Sequence, residues 1–191
     1  MNVSPNPDQP ANSQPTIQPA TQPATHPALA VLQGFFGTWK GTGHGKYATI
    51  KDFDYAETVS LTPLVGKPFV RMENRSATPE GKPMHMELGF IRCVDGEQTA
   101  AANECTIEVI MAQATGQAEI LYGTVTRTDT ELRIDAKSRC VTNTDTAKTV
   151  DATERTLVLD LETGILTHSF GMAAVAEKMQ NHLVSQLRKV D

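Results

Sequence analysis

Five histidines, His26, His44, His85, His168 and His182, are the side chains in this sequence best suited to chemistry. A neutral imidazole can ligate a metal, pass a proton or anchor a core through one hydrogen bond, and its neighbours decide which. His26 stands beside Pro27 and suits an entry turn. His44 lies among Gly41, Gly43 and Gly45 but out of register with them, which predicts a solvent-facing side chain. His85 alternates with Met84 and Met86 and so faces away from both, free to point into a cavity. His168 shares a face with Phe170 and Met172, as a core histidine does. His182 sits between Met179, Leu183 and Leu187, and on these residues alone a surface or capping histidine is the commoner reading.

Other chemical templates are missing at the level of residues. Cys93, Cys105 and Cys140 are odd in number, widely spaced and without a Cys-x-x-Cys pair, which predicts small core or strand residues and a reducing compartment. Glu104 and Glu108 alternate with apolar residues and predict solvated strand faces. There is no Gly-x-Ser-x-Gly elbow, no phosphate-binding Gly-x-x-x-x-Gly-Lys loop and no His-Glu-x-x-His helix.

The elements that must position these side chains are mostly strands. Leu29, Leu32, Phe35 and Phe36 recur at helical spacing, which predicts a short helix or turn ended by Gly34 and Gly37. Beyond it the period becomes two. Tyr55, Glu57, Val59 and Leu61 alternate with small polar residues; Phe69 to Arg75, Met84 to Val94, Cys105 to Met111, Glu119 to Thr126, Glu131 to Cys140 and Lys148 to Leu161 follow. Turn residues separate them, among them Thr78-Pro-Glu-Gly81, Asp95-Gly96, Thr115-Gly116 and Thr163-Gly164. Leu166, His168, Phe170 and Met172 share the face of the last clear strand, while Met179 to Val190 fits either a helical or an extended period. About nine or ten antiparallel strands with no helix to cover them curl and close, so the predicted fold is all-β: a closed up-and-down barrel like the fatty-acid-binding proteins and lipocalins, with room for one small ligand.

Composition limits the partners. The chain has 191 residues and a formal net charge of -5, with no basic stripe for nucleic acid. No apolar stretch nears the roughly 20 residues of a membrane-spanning helix, and Met1 to Thr25 has no signal-peptide pattern; a cytoplasmic protein is expected. Residues 1–25 carry Pro5, Pro7, Pro10, Pro15, Pro19 and Pro23, one charge and no aromatic ring, which predicts a disordered tail ahead of a domain over 26–191.

The segment that opens the strands, Gly37-Thr-Trp39-Lys-Gly41-Thr-Gly43-His44-Gly45, puts four glycines and a tryptophan on one face of a strand. Such a face lets another backbone or a flat ligand come close, and Trp39 is large enough to plug one end of a barrel. The spacing is not that of a dinucleotide loop, since neither a helix nor a βαβ unit follows.

These residues resemble the GxWxGxG signature of the nitrobindin family, carried here by Gly37, Trp39, Gly41 and Gly43 and followed by Tyr47-Ala-Thr49-Ile50 in the place of its YPTI. His26-Pro-Ala-Leu, Tyr55-x-Glu57, Gly66-Lys-Pro-Phe69, Pro83-Met-His85, Thr146-Ala-Lys148, Met172-Ala-Ala-Val175 and His182-Leu-x-x-x-Leu187-Arg188 fall in the family's order, so the likeness spans His26 to Lys189. It implies a ten-stranded barrel with one haem b near its mouth, ferric iron held by His182, reactivity toward nitric oxide and isomerisation of peroxynitrite to nitrate. It also implies Thr49 touching the haem, Lys148 pairing with a propionate, His85 on the distal side and Met172 lining the pocket as packing. Ala48 departs from the family's Pro and removes a fixed φ from the turn that presents Thr49. A homodimer is open to such a chain. A non-catalytic carrier of an apolar molecule and a nitric oxide sensor without turnover are the competing functions.

Overall fold

The structure, a computed structural model, describes residues 25–94 and 103–191. The expected tail and the Asp95-Gly96 turn lie outside the described residues, save Thr25. A 3-10 helix, Pro27–Phe35, comes first, with His26 Nδ1 accepting from the Ala28 N–H at 3.2 Å. Ten strands follow: β1 (Gly37–Tyr47), β2 (Ile50–Pro63), β3 (Phe69–Ala77), β4 (Pro83–Cys93), β5 (Glu104–Gln113), β6 (Gln117–Arg127), β7 (Glu131–Asn143), β8 (Val150–Asp160), β9 (Ile165–Ala174) and β10 (Gln180–Lys189). Each pairs antiparallel with its neighbours in sequence, and β10 returns to β1, so the barrel is closed and has no free edge.

Hydrogen bonding corrects one strand bound and decides one segment that the residues left open. Lys148 precedes β8, which begins at Val150, where Asn143 brackets the strand's first residue with both side-chain atoms. The ambiguous segment Met179 to Val190 is extended, as β10.

Alternation decides what goes inside. In β2, Tyr55, Glu57, Val59 and Leu61 are buried while their neighbours are not. One end of the barrel is packed solid: Leu29, Leu32 and Phe35 of the helix, with Trp39, Val59, Leu61 and Ile107, belong to one apolar cluster. Trp39 is 2% exposed and donates its indole N–H to the Phe35 carbonyl at 2.8 Å, which ties the helix across the barrel's floor. The other end is open and has a smaller apolar cluster, Tyr47, Val150 and Ala174.

The glycine face of β1 is used by the protein itself. A Cβ on Gly41 would fall onto the Gln186 carbonyl oxygen of β10, and one on Gly43 would lie 2.6 Å from both Tyr55 Oη and the Val184 oxygen. A Cβ on Gly45 would collide with the Phe53 ring. Absent side chains thus let β10 close against β1 and let Tyr55 and Phe53 lean over the strand toward the open end. Gly41→Ala must push the β1–β10 seam apart, and we expect it to lower the free energy of unfolding by about 1–3 kcal/mol in urea melts, as overpacking does.

Candidate functional site

A cavity of about 530 Å³ occupies the open end, and its walls include Thr49, His85, Lys148, Met172 and His182. The structure therefore gathers five of the residues singled out in the sequence around one space. Gly37, Trp39, Gly41 and Gly43 stay outside the lining. Thr49 and Lys148 sit in turns rather than strands, both exposed at the rim. His85 is on the wall; Met84, across the pleat from it, still reaches the rim, while Met86 is outside the lining.

His182 reaches the cavity through a break in register. In the β9–β10 ladder Asn181 pairs with Gly171 and Leu183 with Phe170, which leaves His182 without a partner. This is a β-bulge, two residues facing one, and it turns both His182 and Leu183 inward where strict alternation would send one of them out. The ring is then boxed by aromatic edges: Tyr47 at 5.3 Å, Phe53 at 6.1 Å and Phe170 at 6.4 Å between centroids, all tilted steeply.

One hydrogen bond fixes the chemistry of that imidazole. His182 Nδ1 lies 2.8 Å from the Lys46 carbonyl oxygen. A carbonyl can only accept, so Nδ1 carries the proton and the neutral ring keeps its lone pair on Nε2. Burial lowers the pKa of His182 from 6.5, the Lys46 carbonyl pulls it partly back, and the charge on His85 lowers it further. The ring is therefore a neutral, oriented electron-pair donor at physiological pH. Among the described residues, no three His, Cys, Asp or Glu side chains converge to hold a bare metal ion.

The rim is tied together by backbone. Tyr47 Oη accepts from the Ala174 N–H at 2.9 Å, Val175 N–H donates to the Thr149 carbonyl at 3.0 Å, and Gln117 Nε2 donates to the Lys148 carbonyl at 2.9 Å. Val175 and Ala176 both take positive φ, 51° and 67°, in the turn between β9 and β10. A β-branched residue in that region costs about 1–3 kcal/mol, and here it sets Val175 against the cavity.

Beneath the mouth lies a charged layer absent from the sequence reading. Arg155 reaches Glu87 through two bonds, Nη1–Oε1 at 2.5 Å and Nη2–Oε2 at 2.8 Å, and Glu119 Oε1 at 2.7 Å; all three are 3% exposed or less. Glu119 also accepts from Gln113 and Thr153. Burial alone would raise the Glu87 carboxyl, but Arg155 and His85 hold it well below the usual carboxylate range. His85 Nε2 stands 3.8 Å from Glu87 Oε2, so the wall histidine rests on this layer. On the opposite side Glu57 accepts from His168 Nδ1 at 3.0 Å and from the Ser185 hydroxyl, and those partners keep it ionised despite burial. His168 is thus the expected core histidine on one nitrogen only; its Nε2, like Tyr55 Oη, is buried without a partner. His44 is solvent-facing as expected, beside Asp54 at 2.9 Å. Glu104 is exposed, whereas Glu108 is half-buried and pairs with Arg92 at 3.2 Å. Cys93 and Cys105 are buried and Cys140 is exposed.

The signal for the charged layer was a charge in phase with the apolar face of a strand, as Glu57 is with Val59 and Leu61. Glu87, Glu119 and Arg155 follow the same rule on β4, β6 and β8.

Comparison with known proteins agrees with this architecture. The family model described as THAP4-like, heme-binding beta-barrel domain matches residues 28–189. A Nocardia farcinica (strain IFM 10152) protein named peroxynitrite isomerase is 38% identical over 162 residues, 84% of this chain and 90% of that protein. A Mycobacterium avium (strain 104) protein named peroxynitrite isomerase 2 is 34% identical over 162 residues, 84% of this chain and 94% of that protein. The crystal structure of Rv2717c from M. tuberculosis superposes with a TM-score of 0.78 at 31% identity, over 88% of this chain and 100% of that one. With nearly the whole barrel matched in sequence and in shape, the chain belongs to the THAP4-like, heme-binding beta-barrel domain family, the nitrobindins.

Proposed function

We propose that the chain is a ferric haem b protein that isomerises peroxynitrite to nitrate and binds nitric oxide, with one haem held by His182. The observation that carries this reading is the Nδ1–H of His182 donating to the Lys46 carbonyl, which aims a lone pair from Nε2 in an aromatic-lined cavity. The family is described as haem-binding, and relatives 34–38% identical carry the name peroxynitrite isomerase.

The residues present fit the group. A porphyrin brings ring nitrogens of its own, so one protein donor would be enough to hold its iron, and the lone oriented imidazole of His182 would supply it. The cavity falls within the roughly 300–1,000 Å³ of cofactor sites, and Phe53, Phe170 and Met172 offer apolar wall to a flat ring. Lys148 at the rim is placed to pair with an anionic edge, and Thr49 to offer a hydroxyl. When bound, the haem iron would supply Lewis-acid and one-electron chemistry.

What the chain contributes can be derived from its own atoms. Lys46 holds the proton on Nδ1 and makes Nε2 the better donor. Tyr47, Phe53 and Phe170 stop the ring from rotating. Met172 is packing, an unactivated thioether. His85, braced against Glu87, is a polar group on the wall able to hydrogen-bond a small anion in the cavity. The reaction rearranges atoms already in the substrate, so the chain needs no second substrate site.

The test is haem reconstitution followed by stopped-flow mixing with peroxynitrite and nitrate analysis. A Soret band with accelerated decay to nitrate supports the reading; a Soret band without acceleration makes the protein a nitric oxide sensor, and no Soret band makes it a carrier. A pH dependence follows from the lowered pKa of His182. Binding requires the neutral ring, so haem affinity of the apo-protein should stay level down to and below pH 6.5, where an ordinary histidine would already be taking up a proton. It should then fall by roughly tenfold per pH unit below the folded-state pKa, because one proton must leave for each haem bound. Spectrophotometric haem titrations between pH 8 and 5 read this directly.

A further inference from the structure

The buried charge under the cavity has no role in holding the cofactor, and it is unbalanced. Glu87 and Glu119 share one guanidinium, Arg155, which stays protonated. Every contact Glu119 makes is with a donor, Arg155, Gln113 or Thr153, as an ionised carboxylate requires. Glu57 is neutralised only when His168 is charged. Three carboxylates against Arg155 leave a charge of -2, or -1 with His168 protonated, and only a second proton on His85, the wall histidine beside Glu87, would balance them. Glu57, Glu87 and His168 belong to the cavity wall itself, and Glu119 lies one hydrogen bond behind Gln113, which is also on that wall.

We propose that this uncompensated layer, with Glu119 as its adjustable member, sets the oxidation state of iron held by His182 and favours the ferric form. The inference rests on the haem reading above. Ferric haem carries one positive charge more than ferrous haem, so a fixed negative charge nearby stabilises it selectively. The layer is almost wholly shielded from water, where charges are screened little by solvent or salt. Net charge, burial and hydrogen bonding around the ligand are the protein's means of tuning such a centre. Lys148, the cation at the rim, is exposed and well screened by comparison.

Glu119→Gln is the informative substitution. It removes one charge at constant shape; the amide oxygen can still accept from Arg155 and Gln113, the amide N–H can donate to the Thr153 hydroxyl oxygen, and Arg155 stays bidentate on Glu87. In the haem-loaded full chain, spectroelectrochemical titration should show the ferric–ferrous equilibrium moved about tenfold toward ferrous, a rise of about 59 mV. The rise should persist in 1 M salt. Gln117→Glu is the converse: Gln117 is 5% exposed, lines the cavity and accepts from the Thr115 hydroxyl, which a carboxylate can still do, while the exchange gives up the Nε2 bond to the Lys148 carbonyl, so the potential is read only on protein with wild-type haem content. It should move the potential the other way, and it carries the test alone if Glu119→Gln does not fold. A variant with wild-type haem content and an unchanged potential overturns the inference while leaving the haem reading intact. Wild-type protein that takes up no haem at all removes the haem reading and this inference together.

Discussion

His182→Ala should lose haem on a desalting column that leaves the wild-type protein red. Removing groups that merely support a metal ligand costs about 10–100-fold in affinity, so loss of the ligand itself should cost roughly 100-fold or more. The variant should nonetheless fold. His182 is half-buried, lies in a bulge outside the β9–β10 ladder and belongs to neither apolar cluster. Its thermal midpoint should therefore stay close to that of the wild type. His182→Gly with added imidazole gives the complementary result: the free base can enter the vacated space between Tyr47, Phe53 and Phe170 and restore the Soret band. Retention of an unaltered spectrum by His182→Ala would remove this residue from the site.

The second large effect is on folding. Arg155→Ala strips the only guanidinium from Glu87 and Glu119 and leaves two carboxylates buried side by side. Breaking one member out of a buried ion network typically costs about 3–5 kcal/mol, because the remaining charges are desolvated without a partner. Urea denaturation at pH 7 should show that loss. The pH dependence should also change sign. In the wild type the Glu87 carboxyl is held far below its ordinary value, so its stabilisation is complete above about pH 4.5 and is lost only as the pH falls further. In the variant burial dominates, the folded-state pKa rises above the unfolded one, and the barrel should gain stability as the pH falls from 7 toward 5. An Arg155→Ala protein as stable as the wild type at pH 7 would show that the layer is hydrated and its charges inconsequential.

Much of this molecule could be read from its residues. Alternation along Tyr55 to Leu61 and Leu166 to Met172 exposes the strands, and turn residues between them predict a meander that closes on itself. The glycine-tryptophan segment marks the first strand and the plugged end. His182 was harder to place, and the reason is physical: the bulge puts His182 and Leu183 on the same side, so Met179 to Val190 has no clean period of two. Tertiary pairing with β9 settles it, and no local pattern can. Lys148 reads as the start of a strand, yet Asn143 brackets the chain at Val150 and leaves Lys148 ahead of it. Charge in a strand is usually a solvated face, which hides the buried carboxylates from a reading of one strand at a time. Their guanidinium lies 36 residues beyond Glu119 and 68 beyond Glu87, and only closure brings them together.

That irregularity in the last strand also bears on how such proteins diverge. A substitution at the histidine removes the imidazole alone, but deleting Asn181 would close the ladder and put the same imidazole in Asn181's exposed place opposite Gly171. A relative could thus keep the histidine in its sequence and no longer turn it into the cavity, a change that a tally of identical residues would overlook. Spacing between Gly171 and Leu183, more than the histidine alone, is what a search for working relatives should demand.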